Sequence, residues 1–524
     1  MSYNKPPNKK LMNLAKEIVK RLLEKEEMSR EVVDQTKRDV CKKYGVNCPP
    51  NVDLIEEYRK MDVEDKRLEA ALRLRPVRSL SGVVNVSVLT KAYNCPGDCI
   101  YCPIQEGAPK SYLDDEPAVM RAKLNDFDPK KQVENRIRSL TKTGHPTDKV
   151  ELRIVGETWS YYDKDYREKF VKSCFEALNG KKAKNLKKAQ RENEKAKRKM
   201  VTLSIETRPD YITKEEIAHL RKLGVTMVEI GVQSIFSDVL SENNRGHDVE
   251  ATIKATKMLK DAGFKVCYQM MPDLPGSSFE KDVEMMRLIF EDSRFKPDFL
   301  KIYPCMVLKE APLYELYKKG DYKPYSEEEL IDLLSKIKKD IIPYWVRIQR
   351  VIRDIPSQYV VAGGGSSNLR ESLHKRADRE GWRCKCIRCR EVKDNYDPDE
   401  KLKLFKEEFE ASSGKEIVLT FENEERTKLF SLLRMRVPAD PFPETLKESS
   451  IIREIHTYGQ QTMIKNGEIL ETSPQHKGLG RKLIKKAEEL SPTKKIAVIS
   501  GIGARDYWRK NGYELEGSYM VKRI

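Results

Sequence analysis

The sequence contains no run of about 20 apolar residues, the length that a membrane-spanning helix needs, and its first ten residues, MSYNKPPNKK, contain no apolar signal core. Acidic residues are also in short supply: 83 Asp and Glu stand against 100 Lys and Arg, which gives a formal net charge of +17 over 524 residues. We therefore expect a cytoplasmic protein, neither integral to a membrane nor exported, with a polyanion such as nucleic acid as its partner. The length predicts three or four domains, and a hydrophobic content of 39% suffices for a substantial core.

An even set of cysteines, typical of secreted disulfide frameworks, is missing. The chain has eleven cysteines, an odd number that suits a reducing compartment. Six of them form two tight clusters, which are the strongest signals for chemistry in the sequence. The other five are scattered and are predicted to be ordinary buried thiols: Cys41, Cys48, Cys174, Cys267 and Cys305.

The positive charge is concentrated in two places. Residues 181–200 contain ten Lys and Arg against two Glu. They show no apolar face and predict an exposed basic insertion (180–200), which is either a solvated surface or a nucleic-acid contact. Residues 1–75 are also rich in lysine, but here apolar residues recur at helical spacing: Leu11, Leu14, Ile18 and Leu22. We expect this N-terminal region to form amphipathic helices, each with one buried and one basic face.

The first cysteine cluster follows a Val-rich strand predicted at residues 83–90. Cys95, Cys99 and Cys102 have the spacing C-x3-C-x2-C. Three thiolates on one loop can bind three irons of a [4Fe–4S] cluster and leave the fourth iron open to S-adenosylmethionine. This spacing, with Tyr101 just before the last cysteine, resembles the radical S-adenosylmethionine (radical SAM) superfamily. A structural zinc loop is the alternative, and it would require a fourth ligand.

Residues 76–365 alternate strand-like and helical segments, which predicts parallel strands in a partial (β/α) barrel. After the first strand, further strands are predicted at 150–155, 201–205, 227–231, 264–271 and 298–303, and helices at 214–223 and 249–262. Candidate functional groups follow the strands at their carboxyl ends, where such folds place their chemistry: Gly156, Glu157, Glu206, Gln233, Lys301 and Tyr303.

The resemblance to the superfamily implies roles for these residues. Gly156 and Glu157 would form the turn that receives the methionine amino group of S-adenosylmethionine. Glu206 and Gln233 are further candidates for cofactor binding, and Lys301 and Tyr303 are candidates for catalysis.

The second cluster, Cys384, Cys386 and Cys389, lies in an Arg- and Lys-rich linker predicted at residues 366–400. Neighbouring cations lower the pKa of a thiol and favour the thiolate, which is the metal-binding form. We expect a structural Zn²⁺ here, with His374 as its fourth ligand. A second Fe–S cluster and three unligated thiols are the alternatives.

Residues 401–524 change to the alternation of an antiparallel sheet, with strands predicted at 416–421, 428–436 and 451–458. The motif Q-x-x-G-x-G then begins a helix at 481–490, and it consists of Gln475, Gly478, Leu479 and Gly480. It directs backbone amides and the helix dipole at a pyrophosphate, and it resembles the coenzyme A signature of GNAT acetyltransferases. A strand at 495–500 and the pair Tyr507 and Trp508 follow where that fold has them. An acyl-CoA fold without transfer activity is the alternative.

The fold class expected for the chain is therefore α/β multidomain: a helical N-terminal region, a partial radical SAM barrel and a GNAT-type α/β domain. This combination resembles the catalytic-subunit family of Elongator in its archaeal or bacterial single-chain form. The resemblance runs from about residue 75 to the end. It includes SIETRPD at 204–210, RGH at 245–247, KIYP at 301–304 and REIH at 453–456.

The family resemblance implies carboxymethylation of C5 of the wobble uridine (position 34) of tRNA, with a [4Fe–4S] cluster, S-adenosylmethionine and acetyl-CoA as cofactors. A 5′-deoxyadenosyl radical would remove hydrogen from the acetyl methyl group, and the resulting carbon radical would add to C5. Lys149 would reach acetyl-CoA from the radical domain, with Tyr507 and Trp508 near the thioester. The CoA site would be lined by Arg453, Glu454, Ile455, His456, Gly478, Leu479 and Gly480. The expected partner is the tRNA anticodon stem-loop, bound also by residues 1–75, and the chain is expected to be a monomer or homodimer.

Two positions depart from the family pattern. Gly156-Glu157-Thr158 stands where Gly-Gly-Thr is usual, which puts a carboxylate beside the expected amino group. Tyr507-Trp508 stands where two tyrosines are usual, so any phenolic proton must come from Tyr507. Two other functions fit the same residues: a protein lysine acetyltransferase with a structural Fe–S domain, and a tRNA-binding scaffold that has lost catalysis.

Overall fold

Four helices form an N-terminal unit in the computed structural model, which describes residues 9–61, 63–74, 79, 81–365, 368–393, 397, 399–459 and 478–524. They are α1 (Lys9–Leu23), α2 (Arg30–Tyr44), α3 (Asn51–Tyr58) and α4 (Lys66–Leu72). Ser29 begins α2 by accepting a hydrogen bond from Val32 N, which satisfies a free amide of the first turn. Ile18 and Leu22 of the predicted apolar stripe are buried in the core of this unit. The expected helical N-terminal region is confirmed, and no helix within the described ranges is long and apolar enough to cross a membrane.

The central unit is built on a parallel sheet. Its seven strands are β1 (Val83–Leu89), β2 (Lys149–Val155), β3 (Lys199–Thr207), β4 (Met227–Gln233), β5 (Lys265–Met270), β6 (Phe299–Ile302) and β8 (Arg347–Arg350). They lie in the order β1-β2-β3-β4-β5-β6-β8, and every neighbouring pair is parallel. Two further strands, β7 (Met306–Leu308) and β9 (Val360–Gly363), form a small separate pair. This chain-ordered, open sheet is the expected partial (β/α) barrel.

Helices connect the strands and cover the outside of the barrel. They are α5 (Pro117–Lys123), α6 (Pro129–Lys142), α7 (Lys164–Asn179), α8 (Leu186–Asn193), α9 (Lys214–Leu223), α10 (Ser237–Glu242), α11 (Val249–Asp261), α12 (Phe279–Glu291), α13 (Leu313–Lys319) and α14 (Glu327–Lys336). Several start at a side chain that accepts a backbone N–H, as Asp128, Thr213 and Asp248 do. Two further helices, α15 (Leu369–Glu380) and α16 (Ile387–Arg390), form the linker to the last unit.

The last unit is a second, mainly antiparallel sheet. It consists of β10 (Lys403–Ala411), β11 (Gly414–Glu422), β12 (Leu429–Val437), β13 (Ser449–Thr457), β14 (Lys495–Val498), β15 (Glu514–Glu516) and β16 (Tyr519–Arg523), with α17 (Leu479–Leu490) and α18 (Arg505–Arg509). The order is β10-β11-β12-β13-β14-β16-β15. The parallel pair β13–β14 ends at Ile452 and Val498, whereas β13 continues to Thr457. Residues of β13 beyond Ile452 are therefore not paired with β14 and leave an edge of β13 free on that side.

The basic insertion differs from the prediction in one respect. Residues 181–200 were expected to lack an apolar face, but Leu186 and Ala189 of α8 are buried, and Met200 is a buried residue of β3. The buried face of α8 is only two turns long. Apart from Leu186, its buried residues are small or polar (Ala189, Gln190 and Asn193), so hydrophobic spacing alone did not reveal it.

A fully buried group of charges joins the two sheets. Arg453 of β13 donates to Asp298 Oδ1 (2.9 Å), just before β6, and to Glu416 Oε2 of β11 (2.9 Å). Lys260 and Arg436 complete the group, with Lys260 Nζ 3.3 Å from Glu416 Oε1 and Arg436 Nη1 3.0 Å from the same oxygen. Paired charges of this kind are costly to separate, because each would be left buried without its partner. The barrel and the last unit are therefore held in one fixed arrangement.

Candidate active site

One cavity, with a volume of about 2380 Å³, connects the cysteine loop with the C-terminal sheet. It follows the inner face of the barrel, where alternate side chains of each strand point inward, such as Lys149, Glu151 and Arg153 of β2. Cys95, Cys99 and Cys102 line its end at the carboxyl ends of the strands, and residues of β13 and of the start of α17 line the other end. The two sets of candidate cofactor residues therefore face the same cavity.

The three thiols of the cysteine loop do not form the compact group that a single metal ion requires. Cys99 is buried and receives Arg245 Nη1 at 3.5 Å from its Sγ atom, while Cys95 and Cys102 are half-buried. Two thiolates on a single Zn²⁺ would lie about 3.8 Å apart, given Zn–S bonds of about 2.3 Å. Within the described residues, only Cys384, Cys386 and Cys389 form a group of three with all ligand atoms within 4.8 Å. The first three thiols are spread more widely, which argues against a one-ion zinc loop.

The turn after β2 presents a free carboxylate oxygen beside this loop. Gly156 has φ 145°, and a Cβ atom there would lie 2.1 Å from Thr90 Oγ1, so the turn requires glycine. Glu157 Oε1 accepts from Lys110 N (2.7 Å) and Tyr93 N (3.2 Å). Glu157 Oε2 is buried and has no hydrogen-bond partner in the described part of the chain. Burial raises the pKa of this carboxyl, although the two amides oppose the shift. A cationic amino group in the cavity would satisfy the free oxygen.

A buried ion group lies in the middle of the barrel. Lys301 Nζ donates to Glu206 Oε1 (2.8 Å) and also contacts Glu229. Glu206 further accepts from Gln269 Nε2 (3.0 Å) and Tyr112 OH (3.2 Å). Burial alone would lower the pKa of Lys301, but the two carboxylates outweigh it and keep that pKa well above its ordinary value. Lys301 is thus a fixed cation at neutral pH, which does not act as a general base.

Two further predicted residues lie near this group. Tyr303 lines the cavity, with Lys301 Nζ 5.9 Å from its ring centroid, and burial raises the pKa of its hydroxyl. Gln233 ends β4 at φ 68°, and its Oε1 atom is buried with no partner among the described residues. A residue held at such a φ without being glycine is typical of a ligand-contacting position.

The far end of the cavity holds part of the predicted CoA site. Gly478, Gly480, Glu454, His456 and Lys149 line it, and Gly478 begins α17 in the left-handed conformation (φ 66°). Leu479 is buried beneath the turn. Burial lowers the pKa of His456 to about 4, so its ring is neutral. Gln475 lies outside the described residues.

The other four residues predicted for the CoA site differ in their surroundings: one faces the glycine turn, two pack in the core, and one belongs to the buried charges. Tyr507 is 38% exposed, and its hydroxyl lies 3.0 Å from the position of a Cβ atom on Gly480, so it faces the glycine turn. Trp508 is buried and packs edge-on against Tyr513 at 5.2 Å between ring centroids, which makes it mainly a core residue. Arg453 is committed to the buried charges between the sheets, and Ile455 packs against the core of the C-terminal unit.

The second cysteine cluster is compact. Cys384, Cys386 and Cys389 form the group with ligand atoms within 4.8 Å of one another, and Lys338 Nζ lies 3.9 Å from Cys389 Sγ. His374 lines the same large cavity but does not belong to this group, so the structure does not bring the predicted fourth ligand to the three thiols.

Several site residues were missed by the sequence reasoning. Arg245, Tyr112, Gln269 and Glu229 all contact predicted site residues. Glu229 carried a usable signal, because a carboxylate in the otherwise apolar strand MVEIGVQ must have a buried partner. Arg245 stands in the RGH motif, which was noted as family-like without a role.

Comparisons with known proteins identify the family. The chain matches the Radical SAM superfamily over residues 89–289, the Radical SAM C-terminal domain over 297–379 and the ELP3 N-terminal domain over 11–80. It is 43% identical to the tRNA uridine(34) acetyltransferase of Methanocaldococcus jannaschii, covering 97% of each chain. It is 38% identical to Elongator complex protein 3 of Drosophila melanogaster, covering 97% of this chain and 95% of that protein.

A solved structure agrees with these relatives. The archaeal Elp3 of Methanocaldococcus infernus, solved with its N-terminus deleted, superimposes with a TM-score of 0.74 at 42% identity, covering 85% of this chain and 100% of the other. Both the fold class and the family predicted from the sequence are confirmed. The chain belongs to the family of tRNA uridine(34) acetyltransferases and Elongator complex protein 3.

Proposed function

We propose that this protein modifies C5 of the wobble uridine of tRNA with a carboxymethyl group, using radical chemistry from S-adenosylmethionine and acetyl-CoA as the carbon donor. The observation that carries this proposal is the single cavity that joins the cysteine loop to the strand β13 and the start of α17. Because both ends belong to one cavity, S-adenosylmethionine held at the cysteine loop and an acetyl arm extending from β13 would face the same space. The substrate, tRNA, and the eleven cysteines both favour the cytoplasm.

The residues present fit the cofactors. Cys95, Cys99 and Cys102 would hold a [4Fe–4S] cluster, and Glu157 Oε2 would accept the amino group of S-adenosylmethionine. When bound, the two supply the 5′-deoxyadenosyl radical. Lys301 has three N–H donors. Two are used by Glu206 and Glu229, so the third can bind a carbonyl oxygen of the substrate and hold its orientation.

The acyl end would bind CoA largely through the backbone. The amides at the start of α17, around Gly478 to Gly480, would bind the pyrophosphate. The unpaired edge of β13 would hydrogen-bond the pantetheine arm. Tyr507 would lie near the thioester, and Lys149 would approach it from the barrel rim.

The test is anaerobic reconstitution of the iron-loaded protein with S-adenosylmethionine, acetyl-CoA, a one-electron reductant and tRNA, followed by mass spectrometry of the nucleosides. We expect a carboxymethylated uridine at position 34 and 5′-deoxyadenosine. Acetylated protein without modified uridine would instead support a lysine acetyltransferase. Binding of tRNA without either product would support a scaffold.

Replacing Glu157 with glutamine is expected to weaken S-adenosylmethionine binding roughly 10- to 100-fold, because one hydrogen bond to a charged group is worth about 1.5–3 kcal/mol. Glutamine keeps an acceptor for the amides of Tyr93 and Lys110, so the turn should persist. Equilibrium binding to the iron-loaded protein measures the effect. Glu328→Gln, an exposed carboxylate on α14, is the control. An unchanged dissociation constant for Glu157→Gln would contradict the assigned contact.

We infer that Cys384, Cys386 and Cys389 bind Zn²⁺ and that the fourth ligand is a group other than His374. His374→Ala is therefore expected to retain about one zinc per chain, whereas Cys386→Ser should lose most of it, since a structural site needs its thiolates. Elemental analysis after purification in zinc-free buffer measures both. Loss of zinc in His374→Ala would instead show that His374 is the fourth ligand.

A further inference from the structure

The helix α8 is fixed to the barrel by its inner face. Asn193 donates to Asn179 Oδ1 (2.9 Å) and to the carbonyl of Arg198 (3.0 Å), and accepts from Met200 N (2.8 Å). These bonds tie the end of α8 to α7 and to the first residues of β3. Leu186 and Ala189 are buried against the same core.

The segment is also tied to the C-terminal unit. Glu194 accepts from Arg505 Nη1 (2.9 Å) and from Arg509 Nη2 (2.7 Å) of α18. The other acid, Glu192, is neutralised within the segment by Lys181 (3.3 Å) and Lys188 (3.8 Å). Both acids of the insertion are therefore already paired.

A set of unpaired cations remains on the outer face, which we name the α8 surface. Its members are exposed and form no ion pair within the described part of the chain: Lys182, Lys184, Lys187, Arg191, Lys195 and Lys197. Six like charges on a rigid support repel one another. A polyanion relieves that repulsion with little loss of backbone entropy, because the segment is already ordered.

The α8 surface leads to the large cavity. A second cavity of about 690 Å³ lies beside it and is lined by Lys188, Arg191, Lys195 and Arg509. On the other side of Arg509, Lys199 and Lys510 line the main cavity. Arg509 and Lys199 are themselves paired with acids, so the free positive charge on this side of the protein is concentrated on the α8 surface, beside the cavity in which the uridine would react.

We propose that the α8 surface binds backbone phosphates of the same tRNA whose wobble uridine enters the main cavity, an inference that rests on the proposed function. Lysines on phosphates position a nucleic acid without reading its sequence. This surface would hold the tRNA in place during the reaction and take no part in the chemistry.

The test compares two variants with equal loss of charge. In the first, Lys182, Lys184, Lys187 and Lys195 are replaced by glutamine. In the control, the same change is made at Lys319, Lys323, Lys336 and Lys339, which are exposed, have no ion pair among the described residues and line neither cavity. None of the eight lysines has a partner to lose, so thermal stability should be unchanged in both.

The dissociation constant for tRNA is measured against salt concentration. Each phosphate contact contributes about 0.7–0.9 to the slope of log K against log salt. The first variant is expected to lower the slope by about 1.5–3.5 and to weaken binding roughly tenfold at moderate salt, with kcat at saturating tRNA unchanged. The control should keep the slope of the unmutated protein.

Equal slopes of log K against log salt in the two variants would contradict the proposal that the α8 surface binds tRNA. The α8 surface would then be only a solvated helix face. That outcome is distinct from failure of the proposed function, which would show as unmodified uridine with the unmutated protein. A protein that binds tRNA without modifying it would still allow the slopes to be compared.

Discussion

Replacing Cys99 with serine is expected to remove most cluster-bound iron and to reduce the formation of 5′-deoxyadenosine by more than about 100-fold. Loss of an outer-shell partner alone costs about 10–100-fold, and Cys99 is itself assigned as an iron ligand. It is also the buried thiol of the three, held by Arg245, so no water can easily take its place. Iron analysis and chromatography of the nucleoside product, both under anaerobic conditions, measure the two effects.

The matched control for this substitution is Cys48→Ser. Cys48 was predicted to be buried but is an exposed thiol of the N-terminal unit, and its replacement should leave both iron content and product unchanged. Full iron content in Cys99→Ser would show that the cluster, if present, is bound elsewhere.

Arg453→Met is expected to lower stability by about 3–5 kcal/mol, the usual cost of removing one partner from a buried ion group. Asp298 would remain buried without its principal partner, and Glu416 would lose one of its three cations while keeping Lys260 and Arg436. Arg453 also donates to the carbonyl of Phe264 (2.8 Å), which would be lost as well. At roughly 2–4 °C per kcal/mol for a unit of this size, the midpoint of thermal unfolding should fall by about 10 °C.

A compensated variant separates this explanation from a role in CoA binding. With Asp298→Asn added, one carboxylate is removed for the one guanidinium lost, Glu416 keeps Lys260 and Arg436, and much of the stability should return. If Arg453 bound CoA directly, Arg453→Met would raise the KM for acetyl-CoA and leave the unfolding midpoint unchanged. That result would contradict the buried position of its guanidinium.

The parallel strands could be predicted from sequence where apolar residues recur at least at every second position. The strands β1 to β6 were placed to within a few residues, because Val, Ile, Leu or Met residues mark the face that packs against the helices. The strand β8, Arg347–Arg350, was missed. Its sequence RIQR carries charge because Arg347 and Arg350 line the polar cavity. The first antiparallel strand, β10, was also missed, since this edge strand is largely exposed along its length.

The site was predictable where its residues lie close together in sequence. Both cysteine clusters could be found from spacing alone, and the Gly156–Glu157 turn was predicted from its place after a strand and from the superfamily resemblance. The ion group of Lys301, Glu206 and Glu229 could not, because its members come from three strands and only the fold brings them together. The buried pairing of Arg453 was likewise not predictable from the sequence, because its partner Asp298 lies 155 positions away. Its predicted contact with CoA stays a prediction.

The most direct test of a shared cavity traces deuterium from the methyl group of acetyl-CoA to 5′-deoxyadenosine. Acetyl-CoA with a trideuterated methyl group is supplied to the reconstituted enzyme with S-adenosylmethionine, reductant and tRNA, and the 5′-deoxyadenosine is analysed by mass spectrometry. We expect one deuterium per 5′-deoxyadenosine, because S-adenosylmethionine at the cysteine loop and the acetyl group at β13 would face the same cavity. Modified uridine accompanied by 5′-deoxyadenosine without deuterium would contradict it.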